Sequence, residues 1–303
     1  MLTGWLTTEC LVWLNTKKFT VFSINYIFDD VRRVPNRDVD DDIHISILLA
    51  LQFNPNLTFI NFEGIKDVHD SLVDLIIFDL SEGKRLLHTL HINNCGDLRN
   101  RCVITDYSIN KLCNNFSSFV KLSLCGCNIT DQSIKLIAAT QNHLEKFCIS
   151  DTPVTDVGVK IIAKKMLKLK ELLIAFCAHV TDDSVVKLAK LPVLETLNCE
   201  GVMISDKSLL ALAAKSPPLF YLSFTLNYDD GMTDAVINRV KHAISEVCIN
   251  HNGESDEDSE LVDEFHGDDF KVYCPCGHCY DDNSENGYEY DYDDNWELRK
   301  NGL

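Results

Sequence analysis

The residues best suited to chemistry in this 303-residue sequence stand near its C-terminal end, in Cys274-Pro275-Cys276-Gly277-His278-Cys279. Thiolates and imidazole are zinc ligands, and His266 could supply a further one. Structural zinc sites use a second, distant ligand pair, which the C-x-C-x-H-C spacing lacks. Cys274, Cys276 and Cys279 are therefore candidates on residue type alone, and the expectation is a redox-exposed segment with no metal. Asp282, Ser284, Asn286, Gly287 and Asp293 follow the outline of a calcium loop, but no good helix precedes them and Asp293 replaces the bidentate Glu. The sequence has no P-loop, G-x-G-x-x-G, H-E-x-x-H or G-x-S-x-G, and its ten histidines are scattered. The expectation is a protein that is not an enzyme and carries no cofactor.

A different set of residues becomes notable once the elements that hold them are recognised. Between Phe119 and Cys248 one unit recurs, stated most fully in FVKLSLCGCNITDQSIKLIA from Phe119 to Ala138. Aligned on the second apolar position, the copies fall at Leu122, Phe147, Leu172, Leu197, Leu222 and Val247, about 25 residues apart. Each begins with an apolar run predicted to be a strand, the first of them Phe119 to Leu124. Thr105-Asp106, Thr130-Asp131, Thr155-Asp156, Thr181-Asp182, Ser205-Asp206 and Thr233-Asp234 then each announce a helix. The hydroxyl can accept orphan N–H groups at a helix start, and the aspartate sits favourably at the positive end of the dipole.

Earlier copies are looser, with strands predicted around Phe22, Ile60 and Leu90, helices over 42–53 and 68–80, and an insertion near Asn100. One strand plus one short helix cannot cover its own apolar face, so neighbouring copies must stack. The fold class is α/β, a solenoid in horseshoe form with an inner parallel sheet and outer helices. Residues 1–18 are predicted as an N-terminal cap helix, 19–250 as the solenoid, and 251–303 as an acidic tail too poor in aliphatics to order itself.

Side chains alternate along a strand, so residues between the apolar positions face the concave side. This predicts a protein-binding surface of Phe59, Asn61, His91, Lys121, Ser123, Lys146, Cys148, Glu171, Leu173, Asn198, Glu200, Tyr221 and Ser223. Cys148, Leu173 and Tyr221 would be its apolar anchors, ringed by charge.

The unit L-x-x-L-x-L-x-x-C-x-x-I-T-D-x-x-I/L, as in residues 119 to 134, resembles the cysteine-containing class of leucine-rich repeat. That class is best known from F-box/LRR proteins, the substrate receptors of SCF-type cullin-RING ubiquitin ligases. The resemblance covers about residues 57 to 250 and implies a protein target on the repeats, with an SCF adaptor and a cullin as further partners. An F-box is not evident. About 18 residues precede the first strand, and Trp5 to Leu14 lacks the Leu-Pro-x-Glu start. The alternative is therefore an F-box-less scaffold or assembly factor with no ligase role.

Charge and cysteine usage agree with a protein-binding role. Residues 251–303 carry 17 acids against 3 bases, so −14 of the net −18 lies there and only −4 on the first 250. No lysine and arginine cluster is dense enough to release counterions from a phosphate backbone, so nucleic acid is not an expected partner. No apolar run of about 18 residues is present to span a membrane, and the first 20 residues make a poor signal peptide. The expected location is cytoplasmic or nuclear. There most of the 13 cysteines would be reduced and buried in the repeats, and the sequons at Asn56, Asn115 and Asn128 inert.

Overall fold

A computed structural model describes residues 21–23, 58–61, 87–92, 102–226 and 232–251. The predicted cap helix, the helices over 42–53 and 68–80, and the acidic tail beyond His251 lie outside the described residues. The described part alternates strands and helices. The first three strands are β1 (Val21–Ser23), β2 (Phe59–Asn61) and β3 (Thr89–His91). β4 (Cys102–Thr105), α1 (Asp106–Asn115), β5 (Lys121–Ser123), β6 (Cys127–Asn128), α2 (Asp131–Thr140), β7 (Lys146–Cys148) and α3 (Asp156–Lys165) follow. β8 (Glu171–Leu173), α4 (Asp182–Leu188), β9 (Thr196–Cys199), α5 (Asp206–Ala213), β10 (Tyr221–Leu226), α6 (Asp234–Ala243) and β11 (Glu246–His251) complete it.

Nine strands form one parallel sheet in the order β1-β2-β3-β5-β7-β8-β9-β10-β11. Leu122, Phe147, Leu172, Leu197, Leu222 and Val247 pair in one continuous register, so the 25-residue alignment of the sequence is also the spatial one. This is a leucine-rich-repeat solenoid, with the sheet as one layer and the helices as the other. Many strands run three residues where six were expected. Pairing nevertheless continues past them, since Leu124 N–H donates to the Cys148 carbonyl (2.9 Å) and Glu145 N–H to that of Val120 (2.8 Å). The insertion near Asn100 contributes β4, which pairs with β6 in a separate two-stranded sheet that the repeat pattern does not foretell.

The core fills the space between the two layers. Leu122, Leu124, Phe147, Ile149, Leu172 and Ile174 from the strands meet Ile134, Ile137, Val159, Ile162, Val185 and Leu188 from the helices, all buried. Burying each large side chain contributes on the order of 1.5–3 kcal/mol, which is what drives the copies to stack.

The hydroxyl-aspartate pairs do more than start helices. Thr105, Thr130, Thr155, Thr181 and Ser205 each accept the N–H two residues on, as expected of an N-cap, whereas Thr233 makes no such side-chain bond. The aspartate that follows each cap reaches forward to the next repeat. Asp131 accepts Thr155 N–H (3.0 Å), Thr155 Oγ1–H (2.7 Å) and Gly158 N–H (3.0 Å). Asp156 accepts Thr181 N–H (2.9 Å), Thr181 Oγ1–H (2.7 Å) and Ser184 Oγ–H (2.5 Å). Asp106, Asp182 and Asp206 repeat the arrangement toward Thr130, Ser205 and Thr233. A ladder of carboxylates therefore ties each helix start to the one before it. Burial pushes the carboxyls of Asp106, Asp156 and Asp182 up, but the hydroxyl and backbone donors outweigh it and hold all three below the usual range.

The turn after each strand needs a left-handed residue at a fixed place: Gly126, Asp151, Phe176 and Gly201 have φ of 70°, 53°, 57° and 65°. Their N–H groups donate to Ser150 O, Ala175 O, Glu200 O and Thr225 Oγ1 at 2.7–2.9 Å. Phe176 holds this conformation with its ring laid on Gly201, where an added Cβ would come 2.5 Å from Phe176 Cδ1.

Candidate protein-binding face

Strand register sorts the predicted surface residues into rows. Phe59, Thr89, Lys121, Lys146, Glu171, Thr196, Tyr221 and Glu246 pair successively in one row. Asn61, His91, Ser123, Cys148, Leu173, Asn198, Ser223 and Cys248 form the row two residues on. Glu200 lies one residue past the end of β9, outside both. Its counterpart in the first row is Thr196. Thr89, Thr196, Glu246 and Cys248 are not among the residues singled out from the sequence, although each stands beside the second apolar position of its repeat. Counting 25 residues on from Glu171 reaches Thr196 directly.

The rows differ in access. Phe59, Lys121, Lys146, Glu171, Thr196 and Glu246 are half-buried, as are His91 and Cys248. Ser123, Cys148, Leu173, Asn198 and Ser223 are buried, with Leu173 at 1% exposure, and so are Glu200 and Tyr221. Cys148, Leu173 and Tyr221 stand outside the cluster that forms the core, so they are buried on the sheet's other face. What the face offers is its first row, and that row is ordered by charge, with Lys121 and Lys146 in its first half and Glu171 and Glu246 in its second.

Lys146 Nζ meets Glu171 Oε2 at 2.9 Å where the two signs join, each side chain 23% exposed. The rings of Phe59 and His91 meet edge-on with centroids 5.4 Å apart, on β2 and β3. Burial beside Cys248 pushes the Tyr221 hydroxyl well above its ordinary value, so it stays neutral.

The repeat cysteines act as buried structural residues. Cys127 and Cys177 donate from Sγ to the carbonyls of Ile92 and Ile149, at 3.3 and 3.1 Å. Burial pushes the Cys177 thiol up to about 11 and the Cys199 thiol up to about 12, so neither presents a thiolate near neutral pH. Cys95, Cys274, Cys276, Cys279 and the residues from Asp282 to Asp293 lie outside the described residues. Among the described residues, no group of three or more His, Cys, Asp or Glu is placed to hold a metal, and no helix is long and apolar enough to cross a membrane.

No protein-family model matches the sequence, and no curated protein matches it. Among solved structures, the chain is similar to internalin C2 from Listeria monocytogenes, with a TM-score of 0.44 and 18% identity, covering 66% of this chain and 74% of that one. It is also similar to the crystal structure of the Rad7 and Elc1 complex in yeast, with a TM-score of 0.43 and 16% identity, covering 73% of this chain and 69% of that one.

Proposed function

We propose that this chain is a non-catalytic binding protein that holds a protein partner against the first row of its sheet face. The observation that carries the reading is the row itself. Six half-buried side chains in register across the sheet pass from Lys121 and Lys146 to Glu171 and Glu246, on the face turned away from the core. A bipolar strip on a rigid scaffold selects a partner with the opposite order of charge and penalises the reversed one. The likeness of its repeat to the F-box/LRR class supports a place in SCF-type, ubiquitin-dependent turnover, with the row presenting the substrate.

Affinity purification of the tagged full chain tests this reading. Recovery of a stable partner together with an SCF adaptor and a cullin supports the ligase role. Recovery of the partner with neither favours an F-box-less scaffold. Loss of that partner on Lys121→Glu with Glu246→Lys assigns it to the row, and its retention removes the row from consideration. Leu173→Glu or Tyr221→Ala would be a poor probe, because at 1% and 5% exposure both residues are buried and their substitution would disturb packing as well as contact.

A further inference from the structure

Lysines concentrate at one place on the edge where helices end and strands begin. Lys164 and Lys165 occupy the last turn of α3 and Lys187 that of α4, whereas α1, α2 and α5 have no basic residue there. A lysine in the last turn complements the helix dipole. Lys168 and Lys190 lie beyond the helix ends, where that explanation stops, and all five are exposed. In the same two turns Leu167 and Val193 are exposed at 55% and 39%. This is an apolar centre rimmed by cations, on a chain whose net charge is −18.

We propose that this edge binds the chain's own segment 280–298. That stretch places eight carboxylates between 281 and 297 with no base among them, and interleaves Tyr280, Tyr288, Tyr290, Tyr292 and Trp296. Its rings can cover Leu167 and Val193 and stack beneath lysine ammonium groups, while its carboxylates face the rim.

The reach suffices. β11 ends at His251, six residues or about 20 Å along the strand from the level of the lysine edge. β8 lies three strands over from β11, about 14 Å, so the diagonal is about 25 Å. The 28 residues from 252 to 279 span about 30 Å on average as a coil. The edge is separate from the sheet row, so the inference stands or falls independently of the binding function proposed above.

Zero-length carbodiimide cross-linking of the full chain, read by mass spectrometry, tests it. Carboxylates of 281–297 should join Lys164, Lys165, Lys168 and Lys190 within one chain, at least fivefold above their links to the exposed Lys135 and Lys207. Leu167→Glu with Val193→Glu leaves every amine in place and should lower those links at least fivefold. Tyr288→Ser, Tyr290→Ser and Trp296→Ser together, which keep the carboxylates, should do the same. Links spread evenly over the exposed lysines, links unchanged in either variant, or links that join two chains would overturn the proposal.

Discussion

Replacing Asp156 by alanine should uncouple two adjacent repeats without touching the hydrophobic core. The carboxylate accepts Thr181 N–H at 2.9 Å, Thr181 Oγ1–H at 2.7 Å and Ser184 Oγ–H at 2.5 Å, all in the next repeat. Hydrogen bonds to a charged acceptor contribute roughly 1.5–3 kcal/mol each when buried. Asp156 is only half-buried, so about 1 kcal/mol each is the appropriate scale. Part of that returns, because Ser184 Oγ keeps a 3.3 Å bond to the Thr181 carbonyl. Loss of the charge at the start of α3 adds about 0.5 kcal/mol. The expected destabilisation is about 2–3 kcal/mol.

Asp183 provides the control, since its 3.4 Å pair with Lys207 has both side chains more than half exposed. Asp183→Ala should cost no more than about 0.5 kcal/mol. Urea unfolding followed by circular dichroism gives both values, and hydrogen exchange should show protection lost first in α4. If Asp156→Ala and Asp183→Ala shift the midpoint equally, the carboxylate ladder does not couple the repeats.

The same ladder sets an acid limit. The folded values of Asp106, Asp156 and Asp182 lie below the ordinary 3.8, so their stabilisation is present above that pH and is lost as pH falls through the folded values. The stability gap between wild type and Asp156→Ala should be constant at neutral pH and shrink below about pH 4; a gap unchanged down to about pH 2 would contradict the assignment. Gly158→Ala should destabilise by about 1 kcal/mol or more in urea titration, although alanine is the better helix former. An added Cβ would lie 2.5 Å from Asp131 Oδ1 and 2.7 Å from Val154 Cγ1. Gly201→Ala should cost at least as much, for the positive φ and the Phe176 ring against it. Thiol labelling of the native protein at about pH 8 should spare Cys177 and Cys199 and reach both only after urea unfolding.

The sequence made the architecture legible because the repeat period carries burial and register together. Leu122 and Phe147 recur at 25-residue spacing and are paired neighbours in the sheet. The caps were readable for the same reason, since Thr130 before Asp131 is a local device. The forward reach of Asp131 to Thr155 was not, because the repeating pair is equally consistent with aspartate serving only its own helix dipole. The binding face was half legible. Alternation placed Lys121, Lys146 and Glu171 together, but no pattern along the strand distinguishes a half-buried Lys146 from a buried Cys148 two residues on. Thr196 gave way to Glu200 because charge attracted attention that the period should have held. Phe176 in a glycine-favouring turn has no sequence marker beyond its standing 25 residues after Asp151 and before Gly201.

The central claim is that the charged row of the sheet holds a partner. The measurement that meets it most directly is the affinity of the purified partner for wild type, for Lys121→Glu with Glu246→Lys, and for Lys135→Glu on the exposed side of α2. Reversing both ends of a bipolar strip should weaken binding at least tenfold, about 1.4 kcal/mol, with a steep dependence on ionic strength, while Lys135→Glu leaves it unchanged. Equal affinity in all three proteins would contradict the account.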